Sequence, residues 1–357
     1  MVSTHYFNYD SVDKETDYTP PDVTGVVDPS TRYDDDRDRK LTTITRPDSQ
    51  QLHFNYSAGT NQLASMDIPH GRYSYTYNTH GIITAINAPD DGSLTFTYDA
   101  SLPLSQMWSG VVAGSVSQSY NTDFIVTQQC INAANCIDYQ YDLDGLLTNA
   151  GTLAISREAQ KAGLINGTTL QNINMTRGYN LHGEMDTETT QYDTTSLQSA
   201  TYLRDKLGRI TQRSLTLKRA KSTDDYSYDQ VVRLATVING ALTTSYTFDD
   251  NGNRLSKSIN DATTTTTVNG IYDAQDRLTS YGNCAYQYSA NGELQQKTCT
   301  VGEVIETTVY IYDVLGNLLQ VTLPDAAKID YIIDGQNRRI GKKLAILWFR
   351  AFYTATS

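Results

Sequence analysis

One short phrase recurs along this chain and constrains everything it can fold into: aromatic–x–aromatic–Asp/Asn–x–x–Gly, as in Tyr139–Gly145 and Tyr310–Gly316. With the second aromatic as anchor, copies fall at Tyr33, Tyr56, Tyr77, Tyr98, Tyr120, Tyr141, Tyr179, Tyr228, Phe248, Tyr272, Tyr288 and Tyr312. Degenerate copies sit at Arg157, Arg204 and Ile333. The mean interval is about 21 residues, and a steady period of that size marks a repeat architecture rather than a single catalytic domain.

Each copy reads as a strand followed by a turn. Aromatic–x–aromatic places both rings on one face of a strand. The next residue is Asp142, Asp249 or Asp313, or elsewhere Asn78, Asn121 or Asn180. A short carboxylate or amide at the first turn position caps backbone N–H groups. Gly81, Gly145, Gly252, Gly292 and Gly316 follow three residues later, where glycine can take the positive φ that returns the chain to a strand through a bulge. Aliphatic residues two positions beyond, such as Ile83, Leu147 and Leu318, restart the packed face. The expected fold is all-β: an array of antiparallel β-hairpins in a curved sheet. Helical periodicity is nearly absent, and Ser156–Gly163 reads as a worn copy rather than a helix. The expected divisions are an irregular segment at 1–30, the repeat array at 31–343 and a non-repeat tail at 344–357.

Composition agrees, with 26 Tyr against 7 Phe and 2 Trp. Tyrosine suits a strand with one packed and one wet face. The net charge of −12 opposes binding to nucleic acid or anionic lipid. The basic runs Lys218–Lys221 and Arg338–Lys343 are short and read as solvated strand ends. The first residues show neither the basic nor the apolar region of a signal peptide. The apolar stretch Leu344–Tyr353 is far short of the roughly 20 residues a spanning helix needs.

Signals for chemistry are weak. The histidines at 5, 53, 70, 80 and 182 have no metal-ligand spacing, and His80 and His182 fall in repeat turns. The acidic run Tyr33–Lys40 resembles a calcium site, but Arg37, Arg39 and Lys40 compete for its carboxylates. No catalytic, cofactor or metal residue is assigned. Cys130 with Cys136, and Cys284 with Cys299, flank short hairpin ends and are candidate structural disulfides. For Cys284 the pairing depends on register. A two-residue turn at Asn291–Gly292 sets it opposite Cys299, whereas a three-residue turn with a bulge sets it opposite Thr298. Sequons at Asn55, Asn166 and Asn174 matter only in a eukaryotic secretory host.

The phrase Tyr–x–Tyr–Asp–x–x–Gly–x–Leu resembles the tyrosine–aspartate (YD) repeat of Rhs proteins, of the C components of insecticidal toxin complexes and of the teneurin shell. The resemblance covers Tyr33 to Lys343, about nine-tenths of the chain, and Asp330–Lys343 is similar to a phrase late in bacterial Rhs cores. It implies a spiralling β-shell that encloses or presents a C-terminal toxin or effector, in a secreted or cell-surface bacterial protein. The alternative it leaves is a surface adhesin or carbohydrate-binding protein, with cell-surface glycans as partners. The family's Asp–Pro-rich self-cleavage region has no counterpart after Lys343, so no protease residues are carried over and no enzyme activity is expected. The chain reads as a piece of shell. Fifteen hairpins give roughly 140 Å of sheet at about 4.8 Å per strand, which wraps about once around a bore of roughly 45 Å. An open ring or partial shell, self-associating through its sheet edges, is the expected form.

Overall fold

A computed structural model describes residues 4–90 and 92–344, and the backbone alone of 347–350. Among the described residues there are 33 β-strands and one short 3-10 turn at Ala159–Lys161. No helix among them is long and apolar enough to cross a membrane. Pairing is antiparallel between successive strands: Gln51–Tyr56 pairs with Leu63–Ile68, that with Gly71–Tyr77, and that with Ile83–Asn87. The same order holds from Asn135–Tyr141 through to Arg339–Leu344. The segment expected to be irregular contains a hairpin, Tyr6–Tyr9 against Glu15–Thr19. In the expected tail, Leu347–Arg350 pairs back on Arg339–Leu344, while 345–346 and 351–357 lie outside the described residues.

The repeated phrase builds one kind of hairpin end. Tyr141 closes its strand opposite Leu147, and the register shifts by one residue between Gln140 and Tyr141. The same shift recurs at Tyr77, Tyr179, Tyr228, Phe248, Tyr288 and Tyr312. A bulge recurring at these copies adds local twist, so curvature is written into the repeat. Many of the other ends are tight two-residue turns. Leu170 faces Ile173 across Gln171–Asn172, and Leu217 faces Ala220 across Lys218–Arg219. Gln171 and Lys218 have φ of 53° and 56°, the left-handed geometry that matches strand twist.

The chain divides into two compact units. The first comprises Met1–Ser117, Ile131–Ala133 and Gly270–Ser357; the second comprises Gln118–Cys130 and Ala134–Asn269. The first unit holds the hydrophobic core, in which Leu52, Met66, Tyr73, Ile86, Leu94, Trp108 and Val112 from the early part of the chain meet Val314 and Ile340 from its late part. In the second unit full burial is rare among described side chains; Cys130, Ala200 and Asp224 reach it. There the sheet is held by its own turns.

Candidate functional site

The repeated turn is a small capping site. In the Tyr141 copy, Asp142 Oδ1 accepts from the Asp144 and Leu146 backbone N–H groups at 3.0 and 2.9 Å. Gly145 N–H then donates to Asp142 O at 3.1 Å, and Gly145 has φ of 75°. Asp313 accepts likewise from Leu315 and Asn317, while Asp249 accepts from Asn253 N–H at 2.8 Å. Asp205 of the Arg204 copy and Asp334 of the Ile333 copy cap in the same way. These two degenerate copies therefore keep the turn, whereas the Arg157 copy replaces it with the uncapped 3-10 turn Ala159–Lys161. Where glycine is missing, the positive φ is kept by Phe124 (61°), Val232 (72°), Asp276 (58°) and Asn337 (58°).

The anchor ring has a second task. Seven anchor hydroxyls, those of Tyr56, Tyr77, Tyr98, Tyr141, Tyr179, Tyr228 and Tyr288, donate to a backbone carbonyl of the preceding copy at 2.6–2.9 Å. The acceptors are Leu41, Leu63, Ile83, Val126, Ile165, Ile210 and Leu278, each at or beside the start of the strand after the previous turn. Each hydroxyl thus ties one copy to the one before it. Burial pushes the phenols of Tyr77, Tyr98, Tyr141, Tyr288 and Tyr312 above their ordinary range. The two arginine anchors supply the same donor. Arg157 Nε donates to Leu147 O at 3.1 Å, and Arg204 Nη2 donates to Met185 O at 3.1 Å. Where the position bonds the preceding copy it needs a donor of sufficient reach, and arginine meets that need.

Sequence reasoning missed a further element. Four residues after the capping Asp, an Arg side chain takes the carboxylate's other oxygen: Arg209 on Asp205, Arg233 on Asp229 and Arg277 on Asp273, each at 2.7 Å. The same guanidinium lies over the next anchor ring, Arg209 at 4.7 Å from Tyr228, Arg233 at 4.8 Å from Phe248 and Arg277 at 4.9 Å from Tyr288. Such a contact is worth about 0.5–1 kcal/mol at an exposed site. At Phe248, which has no hydroxyl, Arg233 links the copies through this stack and through Nη1, which donates to Asp249 O at 2.6 Å. Hydrogen bonds from these arginines hold the Asp205 and Asp229 carboxyls below the usual range. The recurrence of Asp–x–x–x–Arg was the available signal.

In the first unit, late turns clasp early strands. Trp108 Nε1 donates to Asp334 Oδ2 at 2.9 Å, and Arg338 places Nε and Nη2 on the same oxygen at 2.9 and 2.7 Å. Asp334 is 4% exposed. Asn291 Nδ2 donates to Asp48 at 2.8 Å, Arg46 pairs with Glu293 at 2.6 Å, and Arg46 Nη1 also donates to Val314 O. A cleft of about 260 Å³ opens beside Trp108, Val112, Ile332 and Asp334.

Both cysteine pairs are bonded, Cys130 to Cys136 and Cys284 to Cys299. The turn is the three-residue one with a glycine bulge: Ser289 N–H donates to Glu293 O at 2.8 Å and Gly292 N–H to Ser289 O at 3.0 Å, with Gly292 at φ 94°. A second register shift at Gln287/Tyr288 then sets Cys284 opposite Cys299 rather than Thr298. In the acidic run, Asp35 pairs with Lys14 and Asp36 with Lys40. Among the described residues no three His, Cys, Asp or Glu side chains gather as a metal-holding group.

This architecture has known counterparts. A family model described as the Teneurin YD-shell matches residues 5–356. Mouse Teneurin-3 is 26% identical over 355 residues, covering 95% of this chain but 12% of that protein. Zebrafish Teneurin-3 is 25% identical over 312 residues, covering 83% of this chain and 11% of the relative. Among solved structures, TcdB2-TccC3-TEV superposes with a TM-score of 0.69 at 13% identity, over 95% of this chain and 22% of that one. TcdB2-TccC3 without its hypervariable C-terminal region gives 0.65 at 13% identity, over 97% and 23%. The chain therefore spans only a fraction of the relatives it matches, and the fold it shares with them is the YD shell. With the family model matched across nearly its whole length, and with the repeat's cap, bulge and inter-copy bond present in the structure, this chain belongs to the teneurin YD-shell family.

Proposed function

We propose that this chain is a structural segment of a β-shell that encloses or presents a C-terminal toxin or effector polypeptide, with no catalytic chemistry of its own. The observation that carries this reading is the copy-to-copy bond. Anchor hydroxyls and guanidiniums bind nine of the hairpins to their predecessors through backbone carbonyls, so a sheet holds together even in the second unit, where few side chains are buried. A wall needs that property and an active site does not. In this reading the protein is exported to the cell surface or beyond it, as in a bacterial toxin-delivery system. The test uses the longest reading frame that contains this segment. Limited proteolysis followed by mass spectrometry should find the polypeptide downstream of the repeats protected until denaturant melts the sheet. Immediate digestion of that polypeptide under native conditions would sink the proposal.

A second reading, adhesion through glycans, draws on one feature. Tyr6, Phe7 and Tyr9 of the first strand are 61%, 49% and 58% exposed, and His5 stacks on Tyr18 beside them. Exposed aromatic rings suit sugar faces. A glycan array probed with the intact chain and with Tyr6→Ala/Tyr9→Ala decides it: binding lost in the variant supports adhesion, and no binding by the intact chain removes it.

A further inference from the structure

The repeated turn ends in a tip whose burial differs between the two units. In the first unit Val314, the residue after Asp313, is 5% exposed and belongs to the core, with its carbonyl held by Arg46. In the second unit five of the seven tips are apolar and bare: Phe124, Leu143, Leu181, Leu207 and Val231 are 66% to 107% exposed. Of the other two, the Arg157 copy turns Lys161 onto the Tyr179 and Asn180 carbonyls, and the Phe248 copy carries Asp250 and Asn251. Capping does not explain the apolar five, because Asn121, Asp142, Asn180, Asp205 and Asp229 cap through their own oxygens.

The first unit displays what covers a tip, and at a steady separation along the chain. Gln275 Nε2 donates to Pro21 O across 254 residues, Asn291 reaches Asp48 across 243, and Arg46 reaches Glu293 across 247. Arg46 also holds Val314 O across 268 residues, and Trp108 holds Asp334 across 226. Arg46 and Asp48 lie in the turn between strands Leu41–Thr45 and Gln51–Tyr56, a hairpin end without the repeated phrase. The contact is close: a Cβ on Gly335 would stand 2.5 Å from Ile86 Cγ2. These late copies thus seat their tips on earlier sheet, and the plain hairpin ends of that sheet receive them.

Carried back by the same 226–268 residues, the partners of Phe124, Leu143, Leu181 and Leu207 all fall ahead of Met1. We propose that an upstream stretch of the same kind of sheet, encoded before Met1, covers these tips with its plain hairpin ends. The covered tip of the first unit states the chemistry of that partner. Val314 packs into the cluster that contains Leu52 and Met66, and a basic side chain takes its carbonyl. The upstream ends should therefore pair aliphatic residues with Arg or Lys, one set per repeat. Burial of a row of leucines supplies the driving force. This inference does not require that the sheet encloses a cargo.

The test compares the 357-residue chain with the same chain extended upstream to the start of its reading frame. Hydroxyl-radical footprinting read by mass spectrometry should oxidise Leu143, Leu181 and Leu207 freely in the short chain and several-fold more slowly in the extended one. Leu170 and Leu217, on plain hairpin ends and 42% and 50% exposed, should label alike in both. A second measurement uses Leu143→Asp/Leu181→Asp/Leu207→Asp. It should leave the melting temperature of the short chain within about 1 °C of the parent and lower that of the extended protein by about 10 °C, as charges forced into a packed contact do. A reading frame that opens at Met1 overturns the inference. So do tips that label equally in the two proteins, or a triple variant that costs the extended protein no more than the short one.

Discussion

Removing a single anchor hydroxyl, by Tyr141→Phe, isolates the bond between copies. The ring stays and only the donor to Val126 O, at 2.8 Å, is lost. A neutral hydrogen bond of this kind contributes about 1 kcal/mol net, and rather more if the carbonyl is left dry. For a cooperative unit of about 150–250 residues, each kcal/mol lowers the melting temperature by about 2–4 °C. Tyr141→Phe and Tyr179→Phe should each show that loss in thermal and urea melts followed by circular dichroism. Arg157 sharpens the comparison, since its guanidinium reaches both Leu147 O and Gly163 O at 3.1 and 2.8 Å. Arg157→Leu should therefore cost about 2–3 kcal/mol, charged donors being stronger. Arg157→Tyr should restore about one bond's worth. If both Tyr→Phe variants melt like the parent, or if Arg157→Tyr is no better than Arg157→Leu, the donor–carbonyl reasoning is wrong.

Other outcomes follow from the same turns. Val232 is a β-branched residue at φ 72°, a conformation costing about 1–2 kcal/mol for such residues, so Val232→Asn should raise the melting temperature, and an unchanged or lower value counts against local strain. Asp334→Asn places an amide nitrogen or a single oxygen against the Trp108 and Arg338 donors; loss of this buried pairing should cost about 3–5 kcal/mol and shift tryptophan fluorescence, whereas a parent-like urea midpoint would show that the clasp is dispensable. Burial pushes the Tyr73 phenol up to about 12. Below the ordinary tyrosine range both folded and unfolded forms are neutral and stability is complete. From about pH 10 to about pH 12 the unfolded chain ionises first, so stability should fall by roughly 3 kcal/mol from this residue alone. Urea midpoints that stay flat across that window would contradict it.

The parts of this fold that are local were legible in the chain. The cap at Asp142, the positive φ at Gly145 and the bulge before Tyr141 are properties of seven adjacent residues, and the phrase states them directly. The Arg233 stack on Phe248 joins one copy to the next, so a phrase that describes a single copy leaves it out. The clasp is different in kind. Trp108 and Asp334 are 226 residues apart, and their meeting depends on curvature summed over many bulges, which no single copy encodes. For the same reason the burial of Val314 and the exposure of Leu143 cannot be told apart from the turns themselves. The Cys284–Cys299 register lies between these cases, since it needed the turn length and the bulge together.

A recurring element of this architecture is the waiting carbonyl, and the tyrosine that answers it is one of several admissible replies. Arg157 and Arg204 answer in a different chemical dialect and leave the spacing undisturbed. A lineage built this way can therefore rewrite its signature residue copy by copy while its scaffold stands still. Catalogues keyed to tyrosine will undercount such repeats, and a census by bulge position and acceptor geometry would recover them.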